Sequence, residues 1–287
     1  MKPIHISAFL TPAFLTPALF ASTLLPVTAA PSTSTIATSY KSITVTAKFH
    51  ASTQVEFGNK VIIIDPVSAA SWTRKADLVV ITHPHGDHLD LPAIAKVIRP
   101  DGFVIAPEAA VPTIRTIKGI TVEGWKPGHK ALYEDIGRDG RPTHLASMHL
   151  MVESVPMYNV LRGPAPGKKF HERASGWIGY VLNIGGRRLY FAGDTEGTPE
   201  MKALKNIDAA FLPMNLPFTM TPQEAAAAAK AFKPKQVYPY HYRYPFNKDS
   251  GNERTFSALM KGSASKVVLL DWYPAAVVRK MAAASKR

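Results

Sequence analysis

The chain has 287 residues, of which 46% are hydrophobic and 19% charged, and it carries a formal net charge of +13. That length suits one large domain or two small ones, and the composition excludes a disordered or collagen-like chain. There is no cysteine, which excludes disulfide staples, thiolate ligands and cysteine nucleophiles, so any metal site must be built from His, Asp, Glu, Asn or water.

The amino terminus reads as an export signal. Lys2 is followed by an apolar stretch from Ile6 to Leu25, broken by Pro12 and Pro17, and then by the small residues of Val27-Thr28-Ala29. The prolines argue against a stable spanning helix, so residues 1–29 are expected to be a cleaved signal peptide and the mature protein to be exported, to a periplasm. Residues 30–40, rich in Pro, Ser and Thr, are expected to form a flexible leader. Residues 41–287 show no composition break and are read as a single domain without an exact tandem repeat.

From Ser42 the chain reads as strand after strand. Ile43 to Thr46 alternates, and Val55–Phe57 and Val61–Ile64 flank a Gly58-Asn59 turn. The apolar run from Ala76 to Ile81 predicts a buried strand. A helix is expected from Leu89 to Ile98, with Asp90 as its cap and Pro92 in the first turn. Short strands follow at Phe103–Ile105 and Ile120–Glu123, with weak helical character from Val111 to Ile117. Asp139-Gly140 marks a turn, and His149–Val155 predicts a strand. Trp177–Leu182 and Arg188–Phe191 form a second hairpin around Gly185-Gly186. Thereafter strands at Ala209–Leu212, Val237-Tyr238 and Val267–Asp271 alternate with helices. The first of these helices opens on the capping box Thr221-Pro222-Gln223-Glu224, and the second runs from Glu253 to Lys261. Strands first, then strands alternating with helices, imply a layered α/β sandwich.

The chemistry concentrates in Thr82-His83-Pro84-His85-Gly86-Asp87-His88, directly after the buried strand. Imidazole and carboxylate are the ligands that zinc and related divalent cations prefer, and a loop at the end of one strand offers them from a rigid edge. Asp194, within Ala192-Gly193-Asp194-Thr195, and His241, within Tyr240-His241-Tyr242, also stand at strand ends. His129, His144 and His149 have no neighbouring donors and are not expected to be ligands.

The order His83, His85, Asp87, His88, then Gly193-Asp194-Thr195, then His241 resembles the metallo-β-lactamase fold superfamily, over the span from Ile43 to Asp271. Thr219-Met220-Thr221, Pro239-Tyr240-His241 and His50-Ala51-Ser52 further resemble the branch containing the ascorbate-phosphate lactonase and the N-acyl-phosphatidylethanolamine phospholipase D. The resemblance implies a four-layer αββα sandwich with its metals in a cleft at one edge of the two sheets. It assigns His83 and His85 to a first metal, Asp87, His88 and His241 to a second, Asp194 to a bridge between them, and Asp65 to a supporting position beneath the loop. The family's third histidine for the first metal is missing: the corresponding stretch, Val155 to Asn159, ends in an asparagine. Asn159 or His171 is the candidate to complete that site or to contact substrate. The implied activity is that of a hydrolase holding one or two Zn2+, with Mn2+ or Fe2+ as alternatives, and using metal-bound hydroxide and catalytic Asp87 to cut an ester, lactone or phosphodiester bond. The implied substrate is a small or lipid-like molecule, and the basic surface would concentrate an anionic one; no nucleic-acid partner is expected. An iron-containing redox protein on the same fold and a β-lactamase are the competing readings, the latter disfavoured by the missing histidine.

Overall fold

A computed structural model describes residues 30–39, 41–133, 145–243 and 248–284. The expected signal segment, the Asp139-Gly140 turn and His144 lie outside the described residues. A first mixed sheet contains, in spatial order, β1 (Thr33–Ala37), β2 (Ser42–Phe49), β3 (Ser52–Phe57), β4 (Lys60–Ile64), β5 (Ala76–Val80), β6 (Ile98–Pro107) and β7 (Thr121–Trp125). The helices α1 (Leu91–Val97) and α2 (Val111–Ile114) belong to this half. A second sheet is built the same way from β8 (Lys130–Tyr133), β9 (Leu150–Pro156), β10 (Ile178–Ile184), β11 (Arg187–Phe191), β12 (Ala209–Pro213), β13 (Gln236–Tyr240) and β14 (Lys266–Val267). With it go α3 (Pro199–Lys202), α4 (Pro222–Phe232), α5 (Asn252–Leu259) and α6 (Ala275–Ala284).

The two halves share one topology without an exact tandem repeat in the sequence. In each, the first four strands pair antiparallel and the last four pair parallel. Strand alternation explains the layering. Ile62, Ile64, Leu78 and Val80 join the core shared with the second sheet, whereas Val61, Ile63, Val79 and Ile81 pack with Ile94, Val97 and Ile114 of the helices outside it. On the far side, Ala225, Ala228, Ala229 and Phe232 of α4 are buried against the second sheet. The result is the expected αββα sandwich. Its sheets are also sewn together near the site, where Tyr180 Oη donates to the Ile81 carbonyl at 2.9 Å and the Ile178 amide donates to the Thr82 carbonyl at 3.2 Å.

Two local expectations are corrected. Thr33–Ala37 is not a flexible leader but an edge strand in register with β2, Thr33 opposite Thr46 and Ala37 opposite Ser42. Its β-branched Thr and Ile residues favour that geometry and outweigh the Ser/Thr-rich composition. The strand expected at Val267–Asp271 is confined to Lys266–Val267, because Asp271 donates its amide to the Pro31 carbonyl at 2.9 Å and leaves the β13 ladder.

Candidate metal centre

The donors converge because each follows a strand that ends at the same edge, where loops of a parallel sheet collect ligands. His50 follows β2, Asp65 follows β4, and the His83–His88 loop follows β5. Asp194 follows β11, Asn215 follows β12 and His241 follows β13, while the long β9–β10 connection carries Asn159 and His171. Gly193 permits the turn into Asp194: its φ is +65°, and a Cβ there would strike Met157 Sδ and lie 3.1 Å from Thr82 Cβ. Tyr240 Oη accepts the Gly193 amide at 2.9 Å and holds that turn in place.

Two donor clusters result. His83, His85 and His171 form one, and Asp87, His88, Asp194 and His241 form the other, with ligand atoms in each cluster within 4.8 Å of one another. Asp194 faces both: its Oδ1 lies 3.3 Å from His88 Nε2 and 3.2 Å from His241 Nε2, and its Oδ2 lies 3.7 Å from His171 Nε2. His88 Nε2 and His241 Nε2 stand 3.1 Å apart, and so do His83 Nε2 and His85 Nδ1.

Hydrogen bonds behind the rings fix which nitrogen faces inward. Asp65, fully buried, accepts the Thr82 amide at 2.8 Å, the Thr82 hydroxyl at 2.7 Å and His88 Nδ1–H at 2.8 Å. The Thr82 hydroxyl, having given its proton to Asp65, accepts from His83 Nδ1 at 3.0 Å. His83 and His88 therefore turn Nε2 toward the centre, the arrangement in which partners behind the ring orient metal-binding histidines. Asp65 thus sits behind the His83–His88 loop.

Asn159 does not point at the centre. Its Oδ1 accepts the amide and the Nδ1–H of His171, at 2.9 and 2.6 Å, and its Nδ2 donates to the Phe218 carbonyl at 2.8 Å and to Glu196 at 3.3 Å. With its amide committed, Asn159 holds His171 from behind, and His171 takes the place beside His83 and His85. Sequence distance conceals this exchange: a histidine twelve residues further along an irregular loop replaces the missing one.

Charge favours cation binding. Burial, reinforced by neighbouring histidines, holds His83 well below the ordinary histidine range and pushes His171 down to about 4. Burial opposes charge on Asp194 and Asp87, yet the surrounding imidazoles outweigh it and hold both well below the usual carboxylate range. His88 goes the other way: against its own burial, Asp194, Asp87 and Asp65 raise it well above the ordinary value. Neutral imidazole lone pairs 3.1 Å apart repel unless a proton or cation lies between them, and the buried Asp194 Oδ1 has no hydrogen bond of good geometry. The donor set and this orphaned oxygen fit divalent cations.

Sequence reading noted His50 only as part of a resemblance, and the structure gives it a place. Its Nε2 lies 3.3 Å from Asp87 Oδ2, its Nδ1 lies 2.7 Å from Tyr273 Oη, and its ring centroid is 3.5 Å from that of His241. Burial and the neighbouring His241 push it down to about 3. No local motif points to Tyr273, which meets His50 across 223 residues of sequence. A cavity of about 400 Å³ opens at the centre between His85, Asp87, His171 and Asp194 on one side and Phe170, Asn215 and Phe218 on the other.

Comparison with known proteins identifies the family. A family model described as a β-lactamase superfamily domain matches residues 56–242. A UPF0173 metal-dependent hydrolase of Thermococcus onnurineus is 34% identical over 205 residues, which cover 67% of this chain and 81% of that protein. One from Pyrococcus furiosus is 31% identical over 241 residues, covering 79% and 96%. A solved structure from Parabacteroides distasonis, described as a proposed metal-dependent hydrolase, superposes with a TM-score of 0.69 at 36% identity and covers 83% of this chain and 98% of its own. The chain belongs to the β-lactamase superfamily. Several of its curated relatives are named metal-dependent hydrolases.

Proposed function

We propose that this member of a metal-dependent hydrolase family holds two divalent cations and cuts an ester, lactone or phosphodiester bond. His83, His85 and His171 would hold the first cation, Asp87, His88 and His241 the second, and Asp194 would serve both. The observation that carries the reading is Asp194, whose two oxygens face two separate donor clusters. Zn2+ suits this nitrogen-rich set, with Mn2+ or Fe2+ as alternatives. Bound cations supply Lewis acidity and a water that ionises near neutral pH.

The protein's own groups do the rest. Asp87, whose side chain is 39% exposed, stands at the cavity wall with a carboxylate kept ionised by His88, His241 and His50. It is placed to hold a proton taken from the attacking water and to return it to the leaving group. Asp65 and Thr82 lock the ring orientations, so the site needs no rearrangement to act. The branch resemblance at Thr219-Met220-Thr221 and Pro239-Tyr240-His241 supports a lactone or phosphodiester over a β-lactam. The amino-terminal segment supports export to a periplasm, which cell fractionation would check. Metal analysis of the purified protein, paired with ester, lactone, phosphodiester and β-lactam assays with and without chelator, tests the function. The expected result is bound metal and a hydrolysis that chelator abolishes and Zn2+ or Mn2+ restores. Protein that binds no metal with every donor intact overturns it.

A further inference from the structure

The cavity at the centre has one side made of metal-binding candidates and another made of Phe170, Asn215 and Phe218. The two phenyl rings meet edge to face with centroids 5.0 Å apart, and both are half-buried. Despite the chain's net charge of +13, no Lys or Arg lines this cavity among the described residues. Of the cations in the neighbouring loop, Arg162 is engaged with Glu196 and Glu224, Arg173 with Glu200 and Lys169 with the Leu161 carbonyl, and Lys168 is exposed and outside the lining. A second cavity of about 400 Å³ opens on the other side of Asp87, against Phe49, Val67 and Ala69. It too lacks a cation among its described lining residues, and it includes the carboxylate of Asp90. The loops that carry the two phenylalanines also bear Val160, Leu161 and Leu216, which are 42%, 73% and 45% exposed.

Asn215 is the polar exception. It is 3% exposed, and its side-chain Oδ1 is buried without a hydrogen-bond partner. An unpaired buried amide costs stability unless a ligand group completes it. Its backbone, by contrast, is fully used: the amide donates to Thr219 Oγ1, and the carbonyl accepts the Phe218 and Thr219 amides. The turn therefore holds the side chain at the cavity wall.

We infer that the cleft selects an uncharged ester or lactone whose apolar acyl or aryl group lies against Phe170 and Phe218, with Asn215 Oδ1 accepting a hydrogen bond from an O–H or N–H group beside the scissile bond. The inference rests on the hydrolase reading and narrows it. An anionic phosphoester would bring charge that only the metal pair could receive, because the remaining described walls hold no Lys or Arg, whereas burying one phenyl ring is worth enough to tighten binding by about tenfold or more.

The zinc-loaded full chain tests this by calorimetric titration with acetohydroxamic acid and benzohydroxamic acid, which share a metal-binding group and differ by a ring. Benzohydroxamic acid should bind at least about tenfold more tightly. The Phe170→Ala/Phe218→Ala double variant should lose that preference while its zinc content stays at the wild-type level. Asn215→Ala should weaken both ligands and keep the preference. Equal affinities in the wild type, or a preference that survives the double variant, overturn the inference. In parallel, 4-nitrophenyl butyrate should be hydrolysed in preference to bis(4-nitrophenyl) phosphate. Chelator-sensitive turnover with the opposite preference overturns the inference and leaves the hydrolase reading standing. A wild-type protein that takes up none of Zn2+, Mn2+ and Fe2+ removes that reading, and this one with it.

Discussion

Asp87 is the carboxylate most open to the cleft, and its isosteric replacement separates chemistry from folding. Asp87→Asn should lower kcat by about a hundredfold or more with little change in KM, as expected when a proton carrier is lost; steady-state kinetics on metal-matched protein would show it. The state of His50 follows from its partner. Tyr273 Oη accepts the amides of Tyr242 and Arg243, at 3.0 and 3.1 Å, so its own proton goes to His50 Nδ1. His50 then carries its hydrogen on Nε2, facing Asp87. His50→Ala should cost about tenfold in activity or metal affinity, and His50→Gln, which keeps an N–H donor, should recover part of it. The raised His88 gives a pH signature. Its proton must leave before Nε2 accepts a cation, so zinc binding should release a proton and strengthen as pH rises. Calorimetry in buffers of differing ionisation enthalpy reads that proton, and a binding enthalpy independent of the buffer would contradict the assignment.

At the level of elements, capping and turn chemistry place the site. The box at α4 is complete: Thr221 Oγ1 accepts the Glu224 amide at 3.1 Å, and Glu224 accepts the Thr221 amide at 2.8 Å. Thr221→Ala should cost about 1 kcal/mol, read as a lower midpoint in urea. Gly193→Ala should be harsher, because the added methyl meets both Met157 and Thr82 and the backbone has positive φ. Its signature would be lost metal together with lost stability, since Asp194 follows immediately. Elements with strong local signals were legible. The Thr221 box, the Asp90 cap, which accepts the Ala93 amide at 2.9 Å, and the Gly185-Gly186 hairpin stand where their residues put them. The four-residue helix after Thr198 and the edge strand at Thr33–Ala37 were missed, the first for want of length and the second because its composition resembled a linker.

Across the whole molecule, the candidate centre joins the two sheets. His83, His85 and His88 come from the first half, and His171, Asp194 and His241 from the second. Cations held there would tie together halves whose own contacts are apolar packing and a few cross-sheet hydrogen bonds. Ligand linkage gives about 4 kcal/mol of stabilisation at a thousandfold excess over Kd, or about 10 °C in Tm for a domain of this size. Thermal melts of metal-loaded and chelator-treated protein check this. Coincident melts would show that the donors hold no ion in solution.

The four-layer αββα order came from the family resemblance; by itself the sequence determined a layered α/β sandwich, the β5 loop with its dense histidines, and the strand-end positions of Asp194 and His241. All of these are local signals: hydrophobic period, turn residues, and donors spaced a few positions apart. Tertiary structure alone decided that His171 rather than Asn159 joins His83 and His85, that His50 leans on Asp87 through Tyr273, and that the cleft's far wall is apolar. Those facts depend on loops from different strands meeting at one edge. Which side chains face one another there is set by the packing of two sheets, a relation between residues far apart in the chain that no local pattern encodes.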